Sequence, residues 1–145
     1  MNPAMRKRLA KRVVTAPFPT QIVAGSAELL PIDNESVDSV VSTLVLCSVR
    51  SVEQALQEIK RVLRPGGRLF FLEHIAAPHG TWACRTQHLL RSPWSLFADG
   101  CQLTRELDQD LESIGFSSLE LEHWQAPYPP VPFFLSPHIM GTATK

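Results

Sequence analysis

The sequence has only three cysteines, one tyrosine and no apolar run near the ~20 residues that cross a bilayer. Cys47, Cys84 and Cys101 are too few and too scattered for a disulfide framework. A reducing compartment, cytoplasmic by default, is the expectation. The N-terminus is basic, yet no apolar stretch follows it of the kind a secretory signal carries. An excess of either charge is also lacking: 14 Lys+Arg stand against 14 Asp+Glu. That balance argues against a domain that grips nucleic acid over its whole surface, and no nucleic-acid partner is expected. With 145 residues, 44% of them hydrophobic, the chain can bury one core, and its composition is not that of a disordered segment.

What the sequence does have is unevenly placed. Five of its 12 prolines fall between Pro127 and Pro137. Arg6, Lys7, Arg8, Lys11 and Arg12 crowd the first twelve residues with no acid among them. They read as a solvated helix face or, alternatively, as a contact with an anionic lipid surface or nucleic acid, or as a targeting peptide. Residues 106–122 are the acidic counterpart.

Asn2 caps and Pro3 opens a helix that runs to about Val13. Thr20–Gly25 reads as a short strand and 26–35 as a loop. Val37–Val45 is rich in β-branched residues and nearly continuous in apolar character, which suits a parallel strand with helices on both faces. Ser51–Leu63 is the clearest helix: Ser51 and Gln54 form a capping-box pattern, and Ala55, Leu56, Ile59, Val62 and Leu63 line one face. The Arg64-Pro65-Gly66-Gly67 turn ends it, and Arg68–Ile75 is the next strand. Strand, helix, glycine turn and strand make a βαβ unit. Thr81–Leu90 is helical until Ser92-Pro93 interrupts, and Thr104 caps a helix ending near Gly115. Ser117–Trp124 and His138–Thr144 form an antiparallel edge hairpin around the proline-rich loop. The fold class is α/β, a mostly parallel sheet with an antiparallel C-terminal hairpin.

Open sheets of this kind bind ligands beyond the carboxyl ends of their strands, so the residues after each strand carry the interest. These are Gly25–Glu28, Leu44–Ser48 and Glu73–Ile75. His74 is a candidate general base or substrate-orienting group, with a hydrogen-bonded strand-end histidine as the alternative. Asp99, before Gly100, is a turn acid or a site carboxylate. Trp82, Trp94 and Phe97 are candidates to pack a lid over the strand ends and line a substrate pocket. His74, His79, Cys84 and His88 fit no common zinc spacing, and no metal is expected.

The segments AGSAELLPIDNESVDSVVSTLVLCSV and QALQEIKRVLRPGGRLFFLEH resemble the class I S-adenosylmethionine-dependent methyltransferases, in the type 11 branch that includes the ubiquinone/menaquinone enzymes. LFFLEHIAAP, DGCQLTRE and the ending SPHIMGTATK are similar to the alkyl-thiol S-methyltransferase group. The resemblance implies a Rossmann-like sheet, S-adenosylmethionine as cofactor, and methyl transfer to a small acceptor, an apolar thiol. It places Ser26, Ala27 and Glu28 at the adenine and Thr43 and Leu44 beside the methionine part of the cofactor; His74, Asp99, Trp82 and Trp94 fall to the acceptor side. Where the family often has Asp, this chain has Ser26.

The family's glycine-rich turn after the first sheet strand and the ribose-binding acid after the second have no counterpart here. Gly66-Gly67 closes a helix and does not open one. The expectation is a single partial domain, N-terminally incomplete. The alternative function is then a catalytically inactive fragment acting through protein contacts, and a segment ahead of Met1 is the alternative route to a membrane. A dehydrogenase reading lacks the dinucleotide fingerprint. Thiol methylation needs little acid–base machinery, because the thiolate itself is the nucleophile.

Overall fold

The computed structural model describes residues 3–127 and 129–145, with side chains from Met5 onward. A helix, α1, spans Pro3–Val14; the Asn2 cap lies outside the described residues. A strand, β1 (Val37–Thr43), leads into α2 (Val52–Val62), which returns through β2 (Leu63–His74). The Ser51 hydroxyl accepts the Gln54 amide at 3.3 Å, as the capping pattern requires. Val52, Ala55, Leu56, Ile59 and Val62 are buried at helical spacing. β1 and β2 pair in parallel, with Val40 opposite Leu69 and Thr43 opposite Leu72. The pairing is irregular between Val37 and Ser39, where the Arg64–Gly67 turn swells the partner strand and Gly66 takes φ 76°.

Then follow α3 (Trp82–Phe97), α4 (Leu107–Ser113), β3 (Ser118–Gln125), a single 3₁₀ turn at Phe133–Leu135, and β4 (Pro137–Thr144). The sheet order is β1-β2-β4-β3, with β4 antiparallel to both neighbours. The expected βαβ unit and edge hairpin are therefore both present. One face of the sheet presents Leu69, Phe71, Ile139 and Ala143 to α2 and α4, closing the core with Leu56, Ile59, Leu107 and Leu111.

Four local expectations are corrected. Thr20–Gly25 is not a strand; Ile22 and Val23 lie exposed, and a strand needs a ladder that no described segment offers here. The sheet is not covered on both faces: Val41 on β1 is 74% exposed. Pro93 does not interrupt α3, since the ring removes one amide donor on a side where Leu89 and Pro93 face solvent, and water can satisfy the freed carbonyl. Thr104 does not cap the next helix. The Arg105 carbonyl instead accepts the Ala76 amide at 2.8 Å, and the Arg105 guanidinium reaches the Val49 carbonyl at 2.9 Å. Those bonds hold the chain out of the helix until Leu107.

The hairpin carries a tight spot at Gly141. A Cβ placed there overlaps the Glu120 carbonyl oxygen and comes within 2.9 Å of the Leu121 Cα. Backbone cannot step aside as a flexible side chain does. Gly141→Ala is expected to destabilise the chain by about 1–3 kcal/mol, measured by urea unfolding, with amide protection lost first along β3.

Candidate active site

The strand ends meet in two adjoining cavities that share Leu44, Ser48 and Ala98. The first is wide, about 970 Å³, and lined by Ser26, Ala27, Glu28, Val45, Arg50 and Asp99 among others. The second is about 490 Å³, mostly apolar, and lined by Cys47, Leu72, His74, Trp94, Cys101, Trp124 and Leu135 among others.

The turn that divides them is built by Glu73, the penultimate residue of β2. Its carboxylate is fully buried and accepts the Ser42 hydroxyl at 2.6 Å, the Val45 amide at 3.0 Å and the Cys47 amide at 3.3 Å. Leu44 sits at φ 53°, a left-handed conformation that a branched side chain rarely adopts. Its amide still bonds the Leu72 carbonyl at 2.9 Å, so the chain leaves the ladder only after that bond and turns sharply onto the carboxylate. Strain of this kind persists where surroundings over-determine the backbone, and here three donors do so.

The loop carrying Ser26, Ala27 and Glu28 is pinned to α2. Glu28 accepts the Arg50 amide at 2.8 Å and the Ser26 hydroxyl. These bonds, the Ser26 hydroxyl foremost, hold the Glu28 carboxyl down at about 2. Further along, the Leu30 amide donates to Glu58 at 2.8 Å, while the Arg61 guanidinium reaches the carbonyls of Leu30 and Ile32. Ala27 packs against the core.

His74 ends β2 and is buried in the wall of the second cavity. Burial pushes its imidazole down to about 4, and the neighbouring His138 ring, 5.6 Å away between centroids, acts in the same direction. Among the described residues its Nδ1 has no hydrogen-bond partner. Trp94 stands in the same wall, edge-on to Phe134 at 5.8 Å, its indole N–H likewise without a partner among them. Gln87 fixes the far side. Its buried amide accepts from Ala77 at 2.7 Å and donates to the carbonyls of Ile75 and Phe134.

The structure thus brings Ser26, Ala27, Glu28, Leu44 and Asp99 around the first cavity, and His74 and Trp94 into the second. Asp99 holds φ 48° in the turn that stops α3, so it is both the turn residue and a cavity residue. Thr43 ends β1 on the exposed side and lines neither cavity. Trp82 is 77% exposed, with the Arg85 guanidinium stacked 5.2 Å from its ring, and Phe97 is 88% exposed. Neither covers the strand ends, because α3 turns both aside to solvent. The roles of Glu73 and Gln87 are absent from the sequence reading. A carboxylate inside the apolar run LFFLEHI is the signal for the first, since such a group is buried only with partners.

Residues 1–71 match the family described as "Methyltransferase domain". The chain is 43% identical over 147 residues to the human "Thiol S-methyltransferase TMT1B", covering 99% of this chain and 59% of that protein. It is 44% identical to the human "Thiol S-methyltransferase TMT1A" over the same shares. The chain therefore spans about three-fifths of the length of these curated relatives. Among solved structures it is similar to a SAM-dependent methyltransferase of Thermotoga maritima, with a TM-score of 0.70, 20% identity, and 99% and 70% of the two chains covered. A SAM-dependent methyltransferase of Methanosarcina mazei gives 0.66 at 19% identity over 95% and 76%. At these identities the likeness is one of fold. Among the described residues, no helix is long and apolar enough to cross a membrane.

Proposed function

The chain belongs to the class I S-adenosylmethionine-dependent methyltransferases, and on that premise we propose that it carries the adenine side of the cofactor site and the acceptor pocket for methyl transfer to a small apolar thiol. The observation that carries this reading is the pair of adjoining cavities, one open and bordered by the Ser26–Glu28 loop, the other apolar and bordered by His74.

The residues present fit the cofactor in part. Leu44 (51% exposed) and Val45 form an uncovered apolar shelf at the end of β1, suited to a flat ring, with Ala27 beside it. Ser26 and Glu28 satisfy each other, so the adenine contact falls to main-chain groups of the loop that they stiffen. When bound, S-adenosylmethionine supplies an electrophilic sulfonium methyl. The second cavity excludes water from an apolar acceptor and orients its sulfur. With its imidazole near 4, His74 is neutral at pH 7 and a poor proton acceptor, which favours an orienting role over general base. The thiolate needs no further activation.

Among the described residues no strand is followed by a glycine-rich turn, so the chain alone is expected to bind S-adenosylmethionine more weakly than micromolar in calorimetry. The decisive test joins ahead of Met1 the part of human TMT1B that this chain does not span. This chimera is expected to methylate a small alkanethiol, and His74→Ala to lower its turnover about tenfold or more. A chimera that methylates amines or hydroxyls and not thiols would overturn the acceptor assignment. Unchanged turnover in the His74 variant returns that residue to a structural role. The second reading, a non-catalytic segment acting through protein contacts, is favoured by the open edge of β1 and the exposed Val41. An inactive but well-folded chimera selects it.

A further inference from the structure

The second cavity holds two thiols that methyl transfer does not use. Cys47 follows the Glu73-anchored turn, and Cys101 follows α3; both line the cavity. Backbone bonds hold them side by side. The Cys47 carbonyl accepts the Gln102 amide at 2.8 Å, and the Cys101 amide donates to the Ala98 carbonyl at 3.0 Å. The Cys47 amide is fixed by Glu73. Both cysteines border the same cavity beside Trp94, and the Cys47 sulfur also lies 3.6 Å from the Ser48 hydroxyl. No disulfide joins them.

The two thiols are electrostatically unequal. The neighbouring Cys47 thiol foremost, and the Trp94 indole with it, draw the Cys101 thiol down to about 7 against the cost of its partial burial. Cys47, beside that thiol and buried, is pushed up. One sulfur is thus a ready nucleophile on the cavity side and the other is held in reserve behind it.

We propose that Cys101 and Cys47 form an exchange-active dithiol that reduces small apolar disulfides entering this cavity. The Cys101 thiolate attacks one sulfur of R–S–S–R, making a Cys101–S–S–R mixed disulfide and expelling RS⁻, which takes up a proton. The negative charge that kept the Cys47 proton in place is then gone. Cys47 loses that proton, attacks the Cys101 sulfur, and expels the second RS⁻, which is protonated in turn. The chain is left with a Cys47–Cys101 disulfide and two molecules of RSH are released. Both electrons come from the two cysteines, and the small disulfide is the oxidant. A cavity of about 490 Å³ with an apolar lining admits aromatic or alkyl disulfides of modest size. The products are thiols, the class assigned above as methyl acceptor, but the exchange needs only the two sulfurs and the cavity and stands apart from that assignment.

The test mixes the chain with one equivalent of 4,4′-dithiodipyridine and follows thiopyridone absorbance and intact mass. The expected result is release of two thiopyridones per chain, a mass lower by two hydrogens, and a peptide map joining Cys47 to Cys101. Dithiothreitol restores the starting mass. Cys47→Ser is expected to stop at a stable Cys101 adduct with one thiopyridone released, and Cys101→Ser to lose the fast phase. The wild-type peptide map decides even where a variant fails to fold. A wild-type chain that ends as a mixed adduct, or one that is modified first at the buried Cys84, overturns the proposal.

Discussion

Glu73→Ala is expected to cost the fold about 3–5 kcal/mol and to release the turn that divides the two cavities. The argument is one of unpaired donors. The native carboxylate is fully buried and serves the Ser42 hydroxyl and the Val45 and Cys47 amides. Truncation leaves all three without their acceptor, Ser42 and Cys47 in buried positions, and removing one partner of a buried charged network costs several kcal/mol. It also removes what holds Leu44 at its left-handed φ, so the strained turn relaxes. Glu73→Gln separates the parts. Its carbonyl oxygen replaces Oε1, which serves Ser42 and Val45, whereas its NH₂ meets the Cys47 amide donor to donor. A loss of about 1–2 kcal/mol is expected, with displacement confined to Cys47. Urea unfolding of the three proteins checks the order wild type, Gln, Ala. An Ala variant within 1 kcal/mol of wild type would refute the anchoring role.

How far the sequence foretells the structure divides along the range of the interactions involved. α2 is legible because its cap, its apolar stripe and its terminating glycines lie within seventeen residues, and each agrees with the others. β1 and β2 follow from it, since a crossover helix dictates parallel neighbours. The Thr20–Gly25 strand fails for the converse reason. Local apolar character favours extension, but a ladder is supplied only by a partner, and none of the described residues pairs there. The start of α4 is displaced by contacts from Arg105 to Ala76 and Val49, 29 and 56 positions away, which no capping pattern encodes.

The site shows the same division. Leu44 and His74 stand at the ends of strands that the sequence foretells, whereas Ser26–Glu28 borders the first cavity although the segment before it is no strand. Side chains whose role is to hold other backbone are not found that way. Glu73 reaches amides 26 and 28 positions earlier, and Gln87 reaches a carbonyl 47 positions later. The aromatic residues of α3 diverge for a third reason: a helix distributes Trp82, Trp94 and Phe97 around its circumference, so only Trp94 faces the cavity.

Acidification is expected to destabilise the chain through His74 before the ordinary carboxylates are protonated. The unfolded imidazole titrates near 6.5, while burial in the cavity wall holds the folded one at about 4. Between those values the unfolded chain binds a proton that the folded chain refuses. Stability therefore rises with pH across this window, is fully present above about pH 6.5, and falls as pH drops toward 4. A shift of this size corresponds to roughly 3 kcal/mol between the two ends. That is a large share of the ~5–15 kcal/mol a domain has in total. His74→Phe keeps a ring in the wall and has nothing to titrate, so its stability is expected to be flat between pH 6.5 and 4.5. Urea midpoints of the two proteins at half-unit intervals of pH measure the difference directly. Parallel curves would show that the imidazole accepts its proton in the folded wall, and with that the neutral, orienting role assigned to His74 would fall.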